Sequence, residues 1–195
     1  FDDAERLVRA RLLPAQLTRE EVEANPGQPS GPRSIGAWSI HGPSHAGKGC
    51  TPDVHAAVLH TLCDIQQSVV TRHATGTRIN LHFDSHHEDV EVVCRRESDA
   101  VVTMRMNRRT DLLVRIPGWV AGSAVRLTVD GVCEAVRKTG AYLKIDKTRL
   151  RPGSTVEMSY PLPERETEEV MPSGRTYRFR WRGDEIIGVS PQEDS

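Results

Sequence analysis

Two hydrophobic periods divide this chain. Up to about residue 73 apolar side chains recur three and four residues apart, and after Gly76 they alternate. In residues 3–13 the apolar positions are Ala4, Leu7, Val8 and Leu12, with Asp2 or Asp3 available as a cap and Pro14 as the interruption, which predicts a short helix. Val54, Ala57, Val58, Leu62, Ile65 and Val69 predict a longer amphipathic helix, with Thr51 as its N-cap and Pro52 as its first residue. The first helix is too short to hold itself together in water, so its apolar face needs a partner, and the face of the second helix is the nearest one. Thr18 and Glu21 have capping-box spacing and predict a further helical turn.

Between these segments, Asn25 to Gly49 is rich in Pro, Gly, Ser and His. It is longer than an ordinary connector, a length at which loops are functional or disordered, and Trp38 and Ile40 give it an anchor. From Ile79 the alternation begins: Ile79, Leu81 and Phe83 share one strand face, and Arg78, Asn80 and His82 share the other. Further strands are expected at 88–95, 99–106, 111–116, 124–130, 140–146, 154–160, 175–182 and 185–189, separated by turn formers such as Pro117-Gly118, Asp130-Gly131 and Pro152-Gly153. Short strands at this spacing read as an antiparallel β-sandwich. The acidic stretch Glu164-Arg-Glu-Thr-Glu-Glu reads as a linker. The expected class is α+β, with a helical segment and its long loop over 1–73 and a sandwich domain over 74–195.

A chain of 195 residues can bury a sizeable core. Its 26 basic and 27 acidic residues leave a net charge of -1, which argues against a nucleic-acid partner. Arg175, Arg178, Arg180 and Arg182 are a local exception, and their alternation reads as the solvated face of a strand. No apolar run is long enough to span a bilayer, so no membrane partner is expected. Four cysteines, at 50, 63, 94 and 133, form no C-x-x-C pair, which favours a reducing compartment and a cytoplasmic location. The chain starts at Phe1 within a helical pattern, without an initiating Met or signal peptide, and so reads as a piece of something longer.

The candidate chemistry gathers at the start of the long helix. Cys50 precedes it, at the positive end of its dipole, where a thiolate is favoured over a thiol. The loop delivers Trp38, His41 and His45 to the same end, and Asp53 lies in the first turn. Imidazole, thiolate and carboxylate all suit Zn²⁺, although their spacing here matches no zinc signature. The competing reading is a small, half-buried loop cysteine among solvated histidines. Cys63, Cys94 and Cys133 are expected to be small buried residues. His55 and His60 lack the four-residue spacing of a helical zinc pair, and no phosphate loop, G-x-S-x-G elbow or dinucleotide fingerprint is present.

Several stretches together resemble the C-terminal part of the glycoside hydrolase family 127 group, the β-L-arabinofuranosidase-like proteins. They are Asp3-Ala-Glu-Arg-Leu-Val-Arg, Gly49-Cys50-Thr-Pro-Asp-Val, and above all Leu113-Val-Arg-Ile-Pro-Gly-Trp119 followed by Leu127-Thr-Val-Asp-Gly131 and Gly140-Ala-Tyr142. The resemblance implies that residues 1–73 are the tail of an (α/α)6 toroid. It also implies hydrolysis of L-arabinofuranosides or related plant-glycan sugars with retention, through a cysteine thiolate nucleophile, a glutamic acid/base and a zinc ion held by glutamate and cysteines. Only Cys50 carries over, as the catalytic and metal-binding candidate, with Trp38, His41, His45 and Asp53 expected to face a carbohydrate. The family has two adjacent cysteines, whereas this chain has Gly49-Cys50, which aligns Cys50 with the metal ligand and puts glycine at the nucleophile position. Asp53 stands where the family has asparagine, and the family's acid/base and remaining zinc ligands precede the first helix. The expectation is therefore a fragment of a glycoside hydrolase, inactive alone. The alternative is a non-catalytic carbohydrate-binding or structural sandwich, in which Trp119, following Pro-Gly, packs against the sheet.

Overall fold

The computed structural model describes residues 1–24, 35–38 and 52–191. The chain divides into two compact units: Phe1–Asp2 with Asp64–Pro163, and Asp3–Cys63 with Glu164–Ser195.

The first unit is a β-sandwich. One sheet has the order β1 (Val70–His73), β2 (Gly76–Ile79), β6 (Leu112–Arg115), β10 (Tyr142–Ile145), β9 (Lys138–Thr139). The other has the order β3 (Ser85–His86), β4 (Val90–Arg96), β5 (Asp99–Met106), β11 (Thr155–Pro161), β7 (Arg126–Val129), β8 (Val132–Cys133). Neighbours are antiparallel except β2 and β6, which run parallel. Alternation builds the core: Ile79, Leu112, Val114, Leu143 and Ile145 from one sheet meet Val92, Val102, Met104, Val156 and Met158 from the other. Each such side chain stabilises the fold by roughly 1.5–3 kcal/mol when fully buried.

The strand expected to carry Ile79, Leu81 and Phe83 ends at Ile79, and Asn80 and His82 lie just beyond β2. Asn80 and His82 are both buried because the sandwich satisfies them internally. The Asn80 amide donates to the Ser68 carbonyl and to Thr71 Oγ1, both at 2.9 Å, and its carbonyl accepts from the Tyr142 hydroxyl at 2.7 Å. Gly76 has a steric reason to be glycine. Its φ is +126°, and a Cβ there would meet the Asp111 carbonyl oxygen at 2.4 Å.

The second unit is made of helices and a small sheet. Helix α1 (Asp2–Leu7) continues as a π-helical turn over Val8–Leu12, and α2 (Arg19–Glu23) follows Thr18 as the capping spacing predicts. Helix α3 (Pro52–Val69) starts at the expected proline and runs past Cys63, where the two units divide. Leu12 and Ala15 share a cluster with Val58 and Leu62 of α3, the pairing expected of the two apolar faces.

The expected sandwich over 74–195 ends earlier than the sequence suggests. After Pro163 the chain forms its own sheet, β12 (Glu164–Val170), β13 (Thr176–Arg182) and β14 (Glu185–Ser190), so the acidic "linker" is a strand. Its charges have partners: Glu164, Glu166 and Glu168 lie opposite Arg182, Arg180 and Arg178. Tyr177, Phe179 and Trp181 alternate with these arginines and occupy the other face of β13.

Candidate functional site

The predicted site residues His41, His45 and Cys50 lie outside the described residues, as does Thr51. Asp53 is in the first turn of α3, and its side chain is likewise outside the description.

Trp38 is the predicted site residue whose surroundings are defined. It is 7% exposed, packed with Ala15 and Val58, and its indole N–H donates to the Leu12 carbonyl at 2.9 Å. Its backbone N–H approaches His55 Nδ1 at 3.4 Å, and the two rings meet edge to face at 6.4 Å. Gln16 bridges to Trp38 in antiparallel fashion and donates to the Gly36 carbonyl at 2.9 Å. Trp38 therefore anchors the segment against the first turns of α3, with little of its face left for a sugar. His55, which spacing alone passed over, is what ties this segment to the helix start. No hydropathy signal distinguishes it, because its role is an acceptor for a residue 17 positions away.

A second polar constellation lies inside the sandwich, around the Arg115-Ile-Pro-Gly-Trp119 motif. Arg115 is 3% exposed; its guanidinium bonds the Asn80 carbonyl and the Asp2 carboxylate. The same carboxylate accepts from the Gly118 N–H at 2.9 Å, so Asp2 clips the turn instead of capping a helix. His82, 1% exposed, is held on both ring nitrogens, 3.0 Å from the Arg115 carbonyl and 2.6 Å from the Tyr160 hydroxyl. The carbonyl can only accept, which places the proton on Nε2 and makes the tyrosine donate to Nδ1. Trp119 stacks edge-on over Tyr160 at 5.8 Å while remaining 37% exposed. It is packed, as its position after Pro-Gly suggests.

The electrostatics elsewhere in the sandwich are those of a braced scaffold. Asp89 is bonded by Arg72, whose guanidinium lowers the carboxyl pKa most, and by Thr77 Oγ1 at 2.8 Å. Asp111 is held below its ordinary range by the Lys147 backbone N–H at 2.8 Å and then by Lys144. Of the cysteines expected to be buried, Cys63 and Cys133 are exposed and Cys94 is half-buried. Cys63 is turned away from the apolar face of α3, and Cys133 lies on the two-residue edge strand β8. Among the described residues, no three His, Cys, Asp or Glu side chains are grouped to hold a metal ion, and no helix is long and apolar enough to cross a membrane.

Residues 67–162, almost the whole of the sandwich unit, match the family model described as "Beta-L-arabinofuranosidase, GH127 middle domain". Over these residues the sandwich is similar to the middle domain of glycoside hydrolase family 127. The Pro-Gly-Trp turn and the buried His82–Tyr160 pair lie inside the matched residues, whereas Asp2, which clips the turn, lies outside them. Solved structures similar to the chain include a glycoside hydrolase, at 22% identity and TM-score 0.49, over 76% of this chain and 26% of its own. A GH127 β-L-arabinofuranosidase from Geobacillus stearothermophilus T6 is similar over 88% of this chain and 27% of its own, at 14% identity and TM-score 0.46. A further GH127 β-arabinofuranosidase is similar over 56% of this chain and 22% of its own, at 15% identity and TM-score 0.36. The chain spans about a quarter of the length of these structures. No match is found among curated proteins.

Proposed function

We infer that the chain is part of a glycoside hydrolase that acts on L-arabinofuranosides or related plant-glycan sugars, and that these 195 residues alone do not turn over a glycoside. The observation that supports this reading is the family match across 67–162. Cys50 is its candidate catalytic and metal-binding residue, with His41, His45 and Asp53 nearest it in sequence. Zinc belongs to the same proposal for the longer protein: when bound to a cysteine it keeps the thiol deprotonated. Trp38 serves by anchoring the segment at the start of α3, through His55 and Leu12.

Hydrolysis of an aryl β-L-arabinofuranoside tests the reading. The longer protein that carries this sequence is expected to be active, to lose at least a hundredfold in kcat/KM on Cys50→Ala, and to lose its bound metal with it. The isolated chain is expected to be inactive. Activity indifferent to Cys50→Ala would remove the residue from the mechanism. A second reading, a non-catalytic carbohydrate-binding or structural sandwich, is favoured by Gly49 standing where the family carries a cysteine. An inactive longer protein that still retains arabinan on an affinity gel would establish that one.

A further inference from the structure

A groove of about 510 Å³ opens along one side of the sandwich, where the edge strands β8 and β9 leave the two sheets without a shared neighbour. The segment between them crosses from sheet to sheet. At one end the Glu134 N–H donates to the Leu127 carbonyl of β7 at 2.9 Å, and at the other the Lys144 N–H of β10 donates to the Arg137 carbonyl at 3.0 Å. Val136 packs into the core, which turns Ala135 and Arg137 toward the groove. The wall is therefore fixed by both sheets before any ligand arrives.

The groove has an apolar floor, the buried side chains of Leu127 and Ile145, and a rim of Thr139, Thr148, Asp146 and the Arg149–Glu134 ion pair. A saccharide has that same division, a C–H face and a rim of hydroxyls that both donate and accept. The volume is within the range of about 300–1,000 Å³ usual for small-molecule sites. Charge then selects among saccharides. Lys144 is satisfied by Asp111 at 3.0 Å and Arg149 by Glu134, and Asp146 accepts from the Thr148 N–H at 2.9 Å. Arg137 lines the groove, is exposed, and makes no ion pair among the described residues. A guanidinium in that position offers a two-pronged seat to a carboxylate.

We propose that this groove binds an acidic saccharide, with the uronate carboxylate seated on Arg137 and the sugar face laid on Leu127 and Ile145. The choice of a saccharide rests on the family reading; the site itself lies wholly within the sandwich and is independent of Cys50.

The test is isothermal titration of the intact chain with digalacturonic acid, with the neutral disaccharide arabinobiose as comparator. Arg137→Gln is expected to weaken digalacturonate at least tenfold, and Arg137→Lys to weaken it less, with the thermal melt unchanged because the side chain is exposed and unpaired. No digalacturonate binding by the native chain, or equal binding by Arg137→Gln, would overturn the proposal. Arabinobiose bound as tightly as digalacturonate, or full displacement by equimolar sodium sulfate, would overturn its choice of ligand. Hydrolysis by the longer protein reports on Cys50, and titration reports on Arg137. Failure of the glycosidase reading would then show in hydrolysis, and failure of this one in binding.

Discussion

A buried carboxylate held by strong donors makes stability depend on pH, and Asp89 is placed in that way. Arg72 and Thr77 bond its oxygens, while its backbone carbonyl accepts from Asn107 and Arg108 at 2.8 and 3.1 Å. Its pKa in the folded state is lowered, chiefly by the Arg72 hydrogen bond. A depressed carboxyl pKa contributes stability that is fully present above the unfolded value of about 3.9 and is lost as pH falls through the folded value. Asp89→Asn should therefore cost about 1–3 kcal/mol at pH 7 and flatten the fall in stability below pH 4. Urea midpoints at pH 7, 4 and 3 would show the native and variant curves converging in acid; curves that stay parallel would exclude the assignment. None of this was legible in the sequence. Asp89 sits among His86, His87 and Glu88 like any turn residue; Glu88 also pairs with Arg72, at 2.6 Å, and what separates Asp89 is its burial and the bond from Thr77.

At the scale of elements, the strands whose side chains alternate between core and solvent were legible, and those whose partners are distant were not. β5 and β11 fall where the periodicity puts them, because Ala100, Val102, Met104 and Met106 all face one core. β12 reads as a linker because its glutamates look solvated until β13 places an arginine opposite Glu164, Glu166 and Glu168. β1 was absorbed into the preceding helix, since Val69 and Val70 continue the helical apolar pattern and only Gly76 forces the chain back. The β12–β13 ladder has a measurable consequence. Arg178 bonds Glu168 at 2.8 Å, yet both side chains are more than half exposed, and exposed pairs contribute only about 0.2–1 kcal/mol and are screened by salt. Hydrogen exchange in β12–β14 should accelerate several-fold between 20 mM and about 500 mM NaCl. Exchange in β5 and β11, which rest on apolar contacts, should hold steady. Equal acceleration in both sheets would mean that the ladder adds nothing specific.

At the scale of the whole molecule, the two units differ in what holds them. The sandwich has one continuous core fed by both sheets, while the helical unit has only two small clusters among the described residues, Ala15 with Trp38 and Val58, and Leu17 with Val22. Hydrophobic burial is the main stabilising term, so the second unit should open at lower denaturant than the first. The three tryptophans report this directly: Trp38 lies in the helical cluster, Trp181 in the small sheet, and Trp119 against Tyr160 in the sandwich. In the Trp119→Phe, Trp181→Phe variant, the fluorescence of Trp38 should change at a urea concentration below that of the Trp119 signal in Trp38→Phe, Trp181→Phe. The buried Trp38 costs more to replace, since its indole N–H bonds the Leu12 carbonyl, so the second variant should also lower the helical transition while leaving the Trp119 midpoint in place. Coincident transitions in both variants would mean that the chain unfolds as one cooperative body. Helix α3, which passes from one unit to the other at Cys63, would then be the element carrying that cooperativity.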